Sequence, residues 1–106
     1  MPMTKISLVR DFSDSPGGRY QKQGAYSGEE FRDQLLRPAL KNPGLVEIEL
    51  DGALGFPASF LDEVFGRLVD FEGKDVFERI QIKLTDNDAA LELLRSCVRE
   101  HGGNIK

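Results

Sequence analysis

Tryptophan is absent from this chain of 106 residues, and cysteine and histidine occur once each, as Cys97 and His101. A lone cysteine cannot close an internal disulfide, so the expected compartment is a reducing cytoplasm. Cys97 and His101 stand four apart and share a helix face, but no other cysteine or histidine exists to complete a metal site. A Ser-His-Asp arrangement would have to use His101, at a helix end beside Gly102 and Gly103. The expectation is no metal, no cofactor, no catalytic residue and no enzymatic activity. Long apolar runs are missing too. None approaches the roughly 20 residues a bilayer span requires, so no membrane partner is expected. The opening MPMTKISLVRDF lacks the apolar core of an export signal. The fourteen lysines and arginines are never adjacent and the net charge is -4. No basic face is left to displace counterions from phosphates, which argues against a nucleic-acid partner.

What is present is the composition of an ordinary folded domain, 40% hydrophobic and 30% charged. Residues 1–106 are read as one domain, long enough to bury roughly two thirds of its unfolded surface around a single core. KISLVRDF alternates as a strand, with Ile6 and Leu8 on one face and Val9 on the other. The segment SDSPGGRYQKQGAYSG is mostly loop. A short second strand around Arg19 to Gln23, returning antiparallel through Pro16-Gly17-Gly18, is one reading of it. Ser27 followed by Glu30 forms a capping box at the start of the first helix, and Phe31, Leu35, Leu36, Ala39 and Leu40 make its apolar stripe. Pro38 inside that stripe predicts a kink or a distorted turn.

LVEIELDG alternates cleanly, Val46, Ile48 and Leu50 against Glu47 and Glu49, as a strand with one wet face would. PASFLDEVFGRLVDF is the second helix, burying Phe60, Leu61, Val64, Phe65, Leu68 and Val69. Gly66 within it suggests close approach of a neighbouring backbone. VFERIQIKL supplies another strand with Ile80, Ile82 and Leu84 inward. The last helix has acids at its start, arginine and histidine at its end, and Gly102-Gly103 to close it. The expected fold is α/β, an about four-stranded mixed sheet in the order β(β)αβαβα with helices mainly on one face.

Few residues suggest chemistry. Ser59, with Asp62 three residues on, fits a helix N-cap. Its hydroxyl is also a candidate for partner contact or phosphorylation, which would add roughly -1.5 to -2 charge. Asp62 and Glu63 are adjacent and point in different directions, so they suit a solvated polar face better than a paired acid and base. Gly17, Gly18 and Arg19 could cradle an anion through backbone N–H groups, with Ser27 and Arg32 nearby, although a tight turn is the simpler use of that segment. The stretch from Asp11 to Gly28 is long for a hairpin loop and is expected to be a contact surface. Cys97, beside Leu93, Leu94 and Val98, reads as core, and His101 as a charge on the helix C-terminus.

Taken together, DFSDSPGGRY, YSGEEFR, DGALGFPASFLDEVFG and the polar start of the last helix resemble the STAS-like family of unknown function, itself similar in fold to STAS anti-sigma-factor antagonists. In such antagonists an Asp-Ser-Ser segment precedes the helix after the middle strand, and a partner kinase phosphorylates one serine. Laid on this chain, the Asp falls on Pro57, the acceptor on Ala58 and the second serine on Ser59. By strict correspondence the acceptor is missing. The resemblance implies a non-catalytic regulatory module that binds a protein partner, a histidine-kinase-like ATPase being the expected kind. The expected surface is the second helix's N-terminal end and its preceding loop, Asp51 to Ala58, with Phe56, Pro57, Ala58, Ser59, Asp62 and Glu63, and the Ser13 to Ser27 loop. The alternative is a sensor of a small anionic ligand, or a minor enzyme, using the glycine loop with Arg19 and Arg32.

Overall fold

Alternation in the middle strand places the core. Val46 and Ile48 point to one side of β2 (Leu45–Glu49) and are buried, while Glu47 and Glu49 point to the other and remain half-exposed. The structure, a computed structural model, describes residues 2–106. β2 lies between β1 (Met3–Ser7) and β3 (Ile80–Lys83) and pairs in parallel with both, Ile6 opposite Ile48 and Ile48 opposite Ile82. Among the described residues the sheet therefore has three strands, all parallel, where about four in a mixed sheet were expected. Two crossovers taken in one direction across a sheet put their helices on the same face. The opposite face carries Lys5, Glu47, Glu49, Gln81 and Lys83 and stays open to water.

The missing strand has a physical explanation. Arg19 to Gln23 do not pair with β1; Gln21–Gln23 form a short 3-10 turn instead. The preceding carbonyls are already engaged, because Gly18 and Arg19 accept from the N–H groups of Gly28 and Glu29 at the first turn of α2 (Gly28–Phe31). Gly17 donates to the Tyr26 carbonyl, and a side chain there would lie 2.4 Å from the carbonyl oxygen of Ala25. The loop thus folds onto a helix end. β1 is also shorter than the apolar alternation implied. Ser7 accepts from the Arg10 N–H and turns the chain into a single helical turn, α1 (Leu8–Asp11).

Residues 28–40 run on as one helix with a wide segment in the middle: α2, a π turn over Arg32–Leu36, then α3 (Arg37–Leu40). Pro38 lacks an N–H, and its ring presses on the carbonyl of the preceding turn. The expected distortion is this π turn, in which the Arg37 N–H reaches back to the Arg32 carbonyl. Residues 58–72 repeat the plan, with α4 (Ala58–Leu61), a π turn over Asp62–Gly66 and α5 (Arg67–Glu72). The long α6 (Asp88–Glu100) starts at Asn87, whose side chain accepts from the Ala90 N–H, and ends before Gly102 at φ 86°.

These helices and the inner sheet face enclose one core. All six apolar positions expected on residues 58–72 are buried, as are Phe31, Leu36, Ala39 and Leu40. Phe12 meets both Tyr26 and Phe31 edge to face, with ring centroids 5.3 and 5.2 Å apart. Arg79 closes the bottom of α3, donating to the carbonyls of Leu40, Asn42 and Gly44. At the opposite end of the sheet, the Asp51 carboxylate accepts from the N–H and hydroxyl of Thr85, which ties the loops after β2 and β3 together.

Candidate functional site

The two π turns face each other, and charge is concentrated between them. Arg32 opens the first and is almost wholly buried; Glu63, second in the other, is as deep. The Arg32 Nη1 donates to Glu63 Oε2 at 2.5 Å and to the Glu63 backbone carbonyl at 2.9 Å. Its Nε donates to Asp33 at the rim. Burial opposes the charge on Arg32, but the hydrogen bonds it donates to Asp33 and Glu63 outweigh that and hold the guanidinium above its ordinary pKa. Gly28 lets the helices approach this closely, since a Cβ there would lie 2.9 Å from the Phe60 carbonyl oxygen and 3.0 Å from Glu63 Cβ.

Arg19 extends the network. Its backbone is held by the start of α2, and its Nη1 reaches Asp62 Oδ2 at 2.7 Å and Glu63 Oε1 at 3.1 Å. Asp62 in turn faces His101, whose Nε2 lies 2.9 Å from Oδ1, and the other ring nitrogen lies 3.1 Å from both oxygens of Asp70. Burial alone would raise the Asp62 pKa; Arg19 and His101 reverse that and hold it below the usual carboxylate range. One continuous ionic chain runs Arg32–Glu63–Arg19–Asp62–His101–Asp70. It crosses four separate pieces of the fold.

Several sequence expectations change here. Asp62 and Glu63 are not a solvated polar face; Glu63 is buried and both are paired. Gly66 makes room for a side chain rather than a backbone, a Cβ there lying 2.6 Å from His101 Cδ2. His101 is held by two carboxylates, beyond any effect of the helix end. Ser59 does not cap its helix: Pro57 is the N-cap residue, and no side chain caps this end. Proline at that position sets the helix two residues earlier than the Ser-x-x-Asp spacing implies, leaving Ser59 inside the first turn. Ser27 does cap, accepting from the Glu30 N–H at 3.1 Å, while the Glu30 carboxylate accepts from Tyr26 rather than from Ser27.

The residues expected to hold an anion are occupied otherwise. Arg19 and Arg32 face the chain's own carboxylates, Ser27 is fully buried, and Gly17 donates to Tyr26. Cys97 is buried as expected, and burial, with Asp62 and Glu100 nearby, pushes its thiol pKa up. Among the described residues no group of side chains is arranged to hold a metal ion, and no helix is long and apolar enough to cross a membrane. A cavity of about 590 Å³ is an open groove at the free edge of β3 lined by Phe77, Ile80, Ile82, Leu91 and Ile105 with Arg95. The ionic chain does not reach it.

At the other end of the sheet the loop after β2 is more exposed. Leu54 stands out at 80% exposure, with Pro57 and Ala58 open beside it, while Phe56 folds back to pack half-buried on the core. The Leu54 N–H donates to the Asp14 carbonyl at 2.8 Å, joining this loop to the one between α1 and α2. Sequence reasoning named both loops but missed Leu54. A leucine between two glycines, Gly52 and Gly55, was the available signal.

Residues 27–90, well over half of the chain, match the family described as STAS-like domain of unknown function (DUF4325). No curated protein and no solved structure matches the chain.

Proposed function

The chain belongs to the STAS-like domains of unknown function, and from that membership and the loop geometry we propose a non-catalytic regulatory module that binds a protein partner. The docking surface is the loop 51–58 with the start of α4, joined by the neighbouring 13–27 loop. The observation that carries this is Leu54: a large apolar side chain, 80% exposed, on a loop held in place by the Asp14 carbonyl. Exposed leucine on a pinned loop loses little entropy when it is covered, which suits an anchor at a partner interface. The expected partner kind is an ATPase of the histidine-kinase-like fold. Ser59, half-buried within the first turn of α4, is the hydroxyl whose phosphorylation would change that surface.

The test is binding of purified kinase-like ATPase domains from the same genome to the intact chain and to Leu54→Asp, by titration calorimetry. Binding to the wild type, weakened at least tenfold in a Leu54→Asp variant with unchanged melting temperature, is the expected result. Equal binding by both would rule the surface out, and binding by neither across the panel would rule out the partner kind.

A further inference from the structure

His101 is held in a way that an uncharged ring cannot satisfy. A neutral imidazole carries one N–H and one bare lone pair. Here Nε2 faces Asp62 at 2.9 Å and Nδ1 faces Asp70 at 3.1 Å, so either tautomer would set a lone pair against a carboxylate oxygen. Only the imidazolium donates to both. The ring comes from the residue after α6, while both carboxylates stand on residues 58–72, eight apart. The proton thus sits between the end of the last helix and the middle one.

Other charged groups around the ring favour the same state or are already engaged. Asp62 shares its other oxygen with Arg19, and Asp70 lies 3.0 Å from Arg67 Nε in an ionic contact without a directed hydrogen bond. From α6 itself, Glu100 is exposed, and burial pushes the Cys97 thiol pKa up. Gly66 contributes the space, and the backbone beyond the ring is closed down by Gly103 donating to the Val98 carbonyl and Asn104 to that of Lys74.

We propose that His101 is a proton-operated latch: as the imidazolium it fastens the C-terminal end of α6, with the tail after it, onto residues 58–72, and loss of its proton frees that end. This stands apart from the partner-binding reading. Partial burial disfavours the charged ring, but the hydrogen bonds to Asp70 and Asp62 outweigh it and raise the pKa. A group with a raised folded pKa contributes stability that is complete below its unfolded value, about 6.5 for histidine, and fades as pH rises through the folded value. The latch is therefore closed in mild acid and opens toward alkaline pH.

Because the chain has one histidine, its imidazole signal in an NMR titration is unambiguous. The ring is expected to titrate at a higher pH in the folded chain than in the same chain unfolded in urea. Asp70→Asn, which alters an exposed carboxylate and leaves the core intact, should lower that midpoint, and amide signals of residues 97–104 should shift with the same midpoint in the wild type. The melting-temperature gap between wild type and His101→Gln should be present at pH 6 and close above the midpoint. A folded midpoint at or below the unfolded one, or amides of 97–104 that ignore it, would overturn the latch.

Discussion

Arg32 and Glu63 meet at 2.5 Å across two neighbouring helices, the first opening one π turn and the second one residue into the other, with about 3% and 2% of their side chains exposed. Charges this deep are costly to desolvate, and their attraction offsets that cost only while both are present. Removing one leaves the other stranded. Glu63→Leu should lower unfolding stability by about 3–5 kcal/mol, whereas Arg32→Met combined with Glu63→Leu should recover most of the loss. Urea melts of the two single variants and the double variant read the coupling directly.

Gly66→Ala tests the packing of the ring. On helix propensity alone, alanine should stabilise by about 1 kcal/mol. The added Cβ would lie 2.6 Å from His101 Cδ2 and 2.8 Å from Asp62 Oδ1, so the ring must leave. Net destabilisation by about 1–3 kcal/mol is expected from the overpacking. In a His101→Ala background the same substitution should turn neutral or stabilising, a reversal of sign visible in thermal melts.

Two serines that look alike in the sequence should behave differently. Ser27→Ala removes a buried cap hydrogen bond to Glu30 and should cost about 1 kcal/mol. Ser59→Ala removes no cap and should stay within about 0.5 kcal/mol of the wild type. Equal losses in chemical denaturation would contradict this assignment of the caps.

Acid should act through Asp62. Its folded pKa is depressed, so it contributes stability present above the unfolded value of about 3.9 and lost as pH falls through the folded value. Asp62→Asn should therefore be less stable than wild type at pH 6, and the gap should shrink progressively below about pH 4. Denaturation midpoints at pH 6 and pH 3 check the sign.

The apolar pattern was sufficient to locate the parts. Val46, Ile48 and Leu50 against Glu47 and Glu49 specified a strand with one wet face, and the stripe from Phe60 to Val69 specified the helix that covers the other. Ser27, Asn87 and Gly102 act at helix ends as local rules require, because capping depends on neighbours a few residues away. Pro38 announced a distortion for the same reason.

What the sequence by itself determined is this set of elements and their buried faces, since short-range backbone bonding and hydrophobic periodicity are written within each segment. The ionic chain was decided only by tertiary structure. An arginine at 32 and a glutamate at 63 read as helix-surface residues when taken along their own segments, and each π turn shifts the helical phase by a residue that no single periodicity anticipates. Arg19 and His101 approach Asp62 from 43 and 39 residues away. Segments so distant meet only when the helices dock on one face of the sheet, and it is that docking which turns dispersed charges into a buried network.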